Sequence, residues 1–470
     1  MIKIGNALAF LLTVALVAVA FAAQPAAPPA PATPGPEALP KDLTQQLAAR
    51  KFDPVVAHFD ETMTAAMPSA KLTEVWDSIL AQFGAFHSID ATSLQQVQGY
   101  QVVLVTSKFE KTSMALKWVF DAKLRVAGFF IVPADSAAPK SAAASWTPPD
   151  YAKPASFHEQ PVTVGDQPWQ LSGTLTLPNG TGPFPAIVLV AGSGPEDQDE
   201  TILANKPFKD IAWGLASRNI AVLRYNKRTL QYASQLQALD AGLTVNQETV
   251  DDARAAVTLL SKRPEIDSRR IFVLGHSLGG MLAPRIAQGD KQVAGLVILA
   301  GDTRPLQQTI VEQVKYIVGL QGKITPESQK QIDDAEQSAK QIESPTLAAD
   351  TKLNVLGSPV PGSYFLDLRG YHPAEVAAQL GIPMLILRAE RDYQVTQQDY
   401  DGWKATLSNK PNITWKVYPG LFHLFMPSNS TGPGLGTPED YQKPGHVTTQ
   451  VIDDIAAWIQ AQAPSAQAIR

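Results

Sequence analysis

The run Gly275-His276-Ser277-Leu278-Gly279-Gly280 sets a serine among glycines, between an apolar segment at 270–274 and a helical pattern at 281–287. Strand, tight turn and helix in that order form a setting in which a serine hydroxyl stands clear of the backbone and acts as a nucleophile. Glycine at 275 and 279 leaves space where a Cβ would strike neighbouring backbone. The helix start behind the serine favours negative charge developing there. The chemistry these residues suit is acyl transfer from Ser277. A glycine-rich connection without chemistry is the plainer alternative, and the strand–helix context argues against it. His276 lies inside the turn and is read as a packing residue, because adjacent side chains point away from one another.

Further segments accompany that turn in order along the chain: Ala191-Gly192-Ser193-Gly194-Pro195, Leu223-Arg224-Tyr225-Asn226-Lys227-Arg228, Arg391-Asp392 and Gly420-Leu421-Phe422-His423. With them, residues from about 155 to the C-terminus resemble the α/β-hydrolase family, and more narrowly its bacterial esterase-like members. A serine needs a base to take its proton and a third group to orient that base. In this fold the partners follow in the order Ser, Asp or Glu, His. His423 lies in the loop after the strand at 413–418, where the fold places its base. His58, His87 and His158 precede the turn, His372 falls in an insertion, and His446 begins the last helix. The resemblance implies Asp392, after the strand at 384–387, as the acid; Asp302 and Glu390 are its rivals. An oxyanion hole needs two N–H donors. One is the N–H of Leu278, after the nucleophile. Family position implies Ser193 for the other, with Gly194 as its close rival. Most members carry a histidine before that first glycine; here it is Ala191. Arg224 and Arg228 are read as structural, pairing with Glu196, Asp197 or Asp199.

The elements that must position these residues alternate between strand and helix, the mark of a mostly parallel sheet covered on both faces. Residues 186–190, 220–225, 271–274, 296–299 and 384–387 are continuous apolar strands of the buried kind. Residues 162–164 and 171–177 form an opening hairpin. Helical spacing marks 208–216 and 250–260, the latter with Thr244 and Asn246 as possible caps. Residues 303–380 interrupt the alternation and are expected to fold over the site as a helical cap. Apolar cap residues such as Tyr316, Ile317, Tyr364 and Phe365 pack the cap, and some line an acyl pocket. Ahead of this α/β domain (155–470) a smaller α+β domain spans 41–133. It has helical stretches to residue 83 and strands from 93 onward, at 100–109, 113–120 and 124–132. It resembles the uncharacterised domain that precedes some bacterial α/β-hydrolases, and no catalytic constellation is found in it. Pro/Ala-rich stretches at 23–40 and 134–154 read as linkers.

The 470 residues carry a net charge of −5, offering no basic footprint for nucleic acid. With no cysteine, disulfides, thiol catalysis and a lipoprotein anchor are excluded. Lys3, an apolar stretch at 7–21 and Ala20-Phe21-Ala22 form a signal-peptide pattern, so residues 1–22 are expected to be removed on export to the periplasm or medium, leaving no stable membrane anchor. No cofactor or metal motif is present. The combined expectation is a serine hydrolase cleaving small or medium carboxylic esters through an acyl-enzyme. An aminopeptidase-like or thioesterase activity on the same triad, or a non-catalytic binding protein on a hydrolase scaffold, are the alternatives.

Overall fold

The computed structural model describes residues 38–97, 100–121, 123–134, 146–237, 242–430 and 434–464. The expected signal peptide at 1–22 and nearly all of the first linker lie outside these residues. The described chain divides into two compact units, the second beginning at Trp146.

In the first unit four helices, Ala38–Ala48, Phe52–Val56, Glu61–Ala66 and Ser69–Phe83, precede a four-stranded antiparallel meander. Its strands are β1 (Phe86–Val97), β2 (Tyr100–Phe109), β3 (Ser113–Phe120) and β4 (Val126–Pro133). Leu43, Leu47, Leu72 and Trp76 pack on Val103, Val105, Leu116 and Trp118 of one sheet face. The polar tip of Trp118 is satisfied inside that core: its Nε1–H donates to Thr44 Oγ1 at 3.0 Å, and Thr44 in turn donates to Pro40 O. The strand pattern at 100–109 and 113–120 matches β2 and β3. β1 starts seven residues before residue 93, where the sequence pattern turns to strands. It is an edge strand pairing with β2 alone, and its polar residues carry little apolar alternation to read.

The second unit is built on an eight-stranded sheet. Its strands are β5 (Phe157–Val164), β6 (Leu171–Pro178), β7 (Phe184–Val190), β8 (Ala221–Tyr225), β9 (Ile266–His276), β10 (Val293–Leu299), β13 (Met384–Ala389) and β14 (Ile413–Tyr418). The spatial order is β14-β13-β10-β9-β7-β8-β6-β5, parallel except where β6 meets β5 and β8. β8, β10 and β13 are buried along their whole length, as strands covered on both faces must be. On one face lie the helices Pro207–Ala216 and Thr449–Ala461, with Ile211, Leu215, Ile452 and Ile455 against Ile187, Phe272 and Val297. On the other, Asp251–Ser261, Leu278–Gln288 and Gln397–Leu407 place Val257, Ile286 and Trp403 against Val188, Val273 and Ile298. Thr244 caps the approach to the first of these by exchanging hydrogen bonds with Gln247, side chain to backbone in both directions.

Two boundaries differ from expectation. The stretch read as linker up to residue 154 ends earlier: Trp146 Nε1–H donates to Asp210 at 2.8 Å and its ring stands edge-on to Trp213, so the chain from 146 is packed on helix Pro207–Ala216. The insertion is also not purely helical. Helices Leu306–Gly319 and Pro326–Glu343 are followed by a two-stranded hairpin, β11 (Lys352–Val355) and β12 (Ser358–Pro361), and by helix Gly362–Leu368. Helix Pro373–Gln379 then belongs to the sheet-covering layer, where Ala374 and Ala377 join the core. The cap packs Tyr364, Phe365 and Leu368 on Leu278, Met281 and Leu282 of the helix that follows Ser277. Among the described residues no helix is long and apolar enough to cross a membrane.

Candidate active site

Ser277 closes β9 and opens helix Leu278–Gln288 with φ 53° and ψ −120°. This is a backbone conformation that side-chain-bearing residues rarely adopt, and such strain persists only where the surroundings over-determine it. The surroundings here are backbone. The Ser277 N–H donates to Leu299 O at 3.0 Å. A Cβ on Gly275 would overlap the Gly279 carbonyl, and one on Gly279 would overlap the carbonyl of Val190. Both glycines are therefore steric requirements of the turn. Ser277 remains partly exposed within an otherwise buried segment. As the first residue of its helix, Leu278 has an N–H without an intrahelical acceptor.

In a parallel sheet the carboxyl ends of the strands lie at one edge, so their following loops converge. The loop after β13 contributes Asp392 and the loop after β14 contributes His423. His423 Nδ1 and Asp392 Oδ2 are 2.6 Å apart, and both side chains are buried. The other carboxylate oxygen, Oδ1, accepts the N–H groups of Gln394 and Val395 at 2.7 and 3.0 Å. A carboxylate oxygen accepts, so Nδ1–H is the donor of this hydrogen bond. The His423 turn is closed by hydrogen bonds from Phe425 N to Phe422 O and from Phe422 N to Met426 O.

Among the described residues neither rival acid hydrogen-bonds to His423. Glu390 accepts from Gly420 N. Asp302 is buried, and burial together with the neighbouring Asp399 and Asp392 charges raises its carboxyl well above the usual range. Of the other histidines, His158 bonds Asn179 and His446 bonds Asp210.

His276 does more than pack. Its Nε2–H donates to the His423 carbonyl at 3.0 Å, while Nδ1 lies 3.0 Å from Glu200 Oε1. Burial lowers the imidazole's proton affinity, but the Glu200 charge and hydrogen bond, with the His423 carbonyl, raise it above its ordinary value. The His276 ring lies 4.5 Å from that of His423. Glu200 Oε1 also accepts the Gly192 N–H at 2.8 Å. A Cβ on Gly192 would come 3.2 Å from that of Ser277, so the loop carrying Ser193 runs against the nucleophile turn. Glu196, in the same loop, is pushed up to about 8 by burial and by the Glu200 charge. Arg224 pairs with Asp199 and Glu159, and Arg228 with Asp252. Asp199 is one of the partners expected from sequence; Glu159 and Asp252 are not.

Residues 206–428 match the family described as serine aminopeptidase, S33, and residues 41–129 match a protein family of unknown function, DUF3887. Over 418 residues the chain is 37% identical to esterase EstD of Thermotoga maritima, covering 89% of this chain and 93% of that protein. The chain belongs to the α/β-hydrolase family. A shorter likeness, 31% over 134 residues, relates this α/β-hydrolase to acyl-coenzyme A thioesterase 3 of Mus musculus, covering 28% of this chain and 26% of that protein. Among solved structures, Est1E from Butyrivibrio proteoclasticus aligns with a TM-score of 0.42 at 14% identity, covering 64% of this chain and 99% of that one.

Three residues of this α/β-hydrolase's site escaped sequence reasoning: Glu200, the bridging role of His276, and Lys227. Glu200 lies in the polar stretch Glu196-Asp197-Gln198-Asp199-Glu200, where nothing local separates a buried acid from solvated ones. Lys227 was visible only as part of a matching segment; its ammonium donates to Gly192 O at 2.8 Å.

Proposed function

We propose that this α/β-hydrolase cleaves carboxylic esters through an acyl-enzyme on Ser277. The observation that carries the reading is the buried 2.6 Å hydrogen bond between His423 and Asp392, with the His423 ring 4.5 Å from that of His276, the residue preceding the strained Ser277. His423 Nε2 takes the Ser277 hydroxyl proton as Oγ attacks the acyl carbon. The N–H groups of Leu278 and Ser193 receive the tetrahedral oxyanion, each such donor being worth about 2.7–4 kcal/mol. His423 then hands the proton to the departing alkoxide. A water, deprotonated by the same nitrogen, releases the acid and restores Ser277. Asp392 stays ionised throughout, holding the tautomer and stabilising the imidazolium.

The ester substrate is favoured by the extensive identity to a protein named as an esterase. The serine aminopeptidase description of the matching family keeps amide substrates as the second reading. The reading is tested by fluorophosphonate labelling with peptide mapping, beside turnover of p-nitrophenyl esters of graded acyl length. Labelling of Ser277 that disappears in Ser277→Ala, together with turnover of short esters, is expected. Labelling without ester turnover would transfer the assignment to peptides or thioesters. Folded protein that takes no label would remove Ser277 as the nucleophile.

A further inference from the structure

The loop Gly192-Ser193-Gly194 must hold one peptide in a fixed direction if it is to supply an oxyanion donor, yet glycines on either side of Ser193 leave it little conformational restraint of its own. The restraint comes from buried charges on both sides of Gly192. Its N–H donates to Glu200 Oε1 at 2.8 Å, and its carbonyl accepts from Lys227 Nζ at 2.8 Å. Lys227 is 3% exposed. Its ammonium is balanced by Glu248 Oε1 at 3.3 Å, and Glu248 also accepts from the hydroxyls of Thr229 and Tyr364 at 2.9 Å each. Tyr364 belongs to cap helix Gly362–Leu368, so the chain of contacts runs from the cap to the Gly192 carbonyl.

A trans peptide unit is planar, with its C=O and its N–H on opposite sides. The unit joining Gly192 to Ser193 contains the carbonyl held by Lys227 and the N–H of Ser193. Fixing the first directs the second away from the ammonium. A cation on the carbonyl oxygen also polarises the amide, which strengthens its N–H as a donor. Among the described residues the Ser193 N–H donates to no other group of the chain.

We propose that Lys227 is a positioning residue for ester hydrolysis: it grips the Gly192 carbonyl and thereby aims and polarises the Ser193 N–H toward the oxyanion. This rests on the assignment of Ser277 as nucleophile and Ser193 as oxyanion donor. A lysine that only stitched its own loop to Glu248 would affect stability, not the reaction's charge development.

The test compares Lys227→Met, and Lys227→Met/Glu248→Gln in which no unpaired carboxylate is left buried, with wild type and Ser277→Ala. Substrate is p-nitrophenyl acetate; the probe is an alkyl trifluoromethyl ketone, which forms an oxyanion on the nucleophile, set against the matching alkyl alcohol, which does not. In the folded double variant kcat is expected to fall on the order of 10- to 100-fold, approaching the loss of a whole donor. KM should change less than about threefold, as for an interaction made only in the transition state. Ketone affinity should fall in step with kcat and alcohol affinity should not. Wild-type kcat and ketone affinity in either folded variant would overturn the proposal, whatever the melting temperature. Turnover that survives Ser277→Ala at the wild-type rate would instead overturn the nucleophile assignment on which it stands.

Discussion

The two units bury different things. Among the described residues, the buried polar side chains of the first unit are Thr44 and Ser107, both neutral. The second unit buries charged side chains both inside helices and strands, as Asp210, Arg224, Asp252 and Asp399, and at or beyond the carboxyl ends of strands, as Glu200, Lys227, His276, Asp302, Asp392 and His423. The first unit has an interior that packing alone accounts for, with ion pairs such as Arg50–Asp77 and Lys71–Glu74 left on the surface, where they contribute little. In the second unit charge is removed from water at a cost that hydrophobic side chains of similar volume would avoid. Such costs are met where perturbed groups serve a reaction. The two interiors differ in kind: the first is packed from apolar and neutral groups, whereas the second also encloses charged groups, several of them beside the turn that carries Ser277.

The largest effect that could break this contrast is on catalysis. Asp392→Asn leaves the shape of the site but permits the wrong His423 tautomer, so kcat/KM for a p-nitrophenyl ester should fall by about 10⁴-fold. Loss of less than tenfold would mean the buried charge is not there for the reaction. Next comes packing in the first unit. Trp118→Ala empties a fully buried site and frees Thr44, and should cost about 3–5 kcal/mol in denaturant unfolding. Ester kcat measured in dilute buffer should stay within about twofold of wild type, and a large fall in kcat would put the first unit into the chemistry.

The smallest effect sharpens the contrast through pH. Glu196 keeps its proton to about pH 8 in the folded state, whereas an unfolded glutamate loses it near 4.5. Between those values the folded state binds the extra proton, so stability falls as pH rises from about 4.5 to about 8 and then levels off. Glu196→Gln mimics the protonated acid at every pH. Its melting temperature should exceed that of wild type clearly at pH 8.5 and hardly at pH 4.5; an equal difference at both would show that Glu196 is not held protonated.

Much of this was legible along the chain. The Ser277 turn is a local object, in which strand, glycines and helix start are neighbours in sequence. The buried parallel strands announce themselves as unbroken apolar runs. Asp392 and His423 could be placed because the resemblance implies an acid after the strand at 384–387 and the fold order a base after the strand at 413–418, and the structure joins them by a hydrogen bond. The polar edge strand β1 was read short, and the hairpin in the cap was missed because two four-residue strands carry too little alternation to register. Trp146 looked like part of a linker because its partners, Asp210 and Trp213, come more than sixty residues later.

Sequence by itself thus determined the two-unit plan, the sheet that presents its strand ends at one edge, and the glycine-flanked turn that carries Ser277, because each depends on periodicity or on residues a few positions apart. Tertiary structure alone decided which of many similar acids and cations are buried around that serine. Glu200 meets His276 across 76 positions, His276 meets the His423 carbonyl across 147, and Lys227 meets Gly192 across 35. Nothing in the spacing of those residues encodes the meetings. They arise because parallel strands deliver distant loops to one edge, where a charge finds its partner only after the sheet has formed.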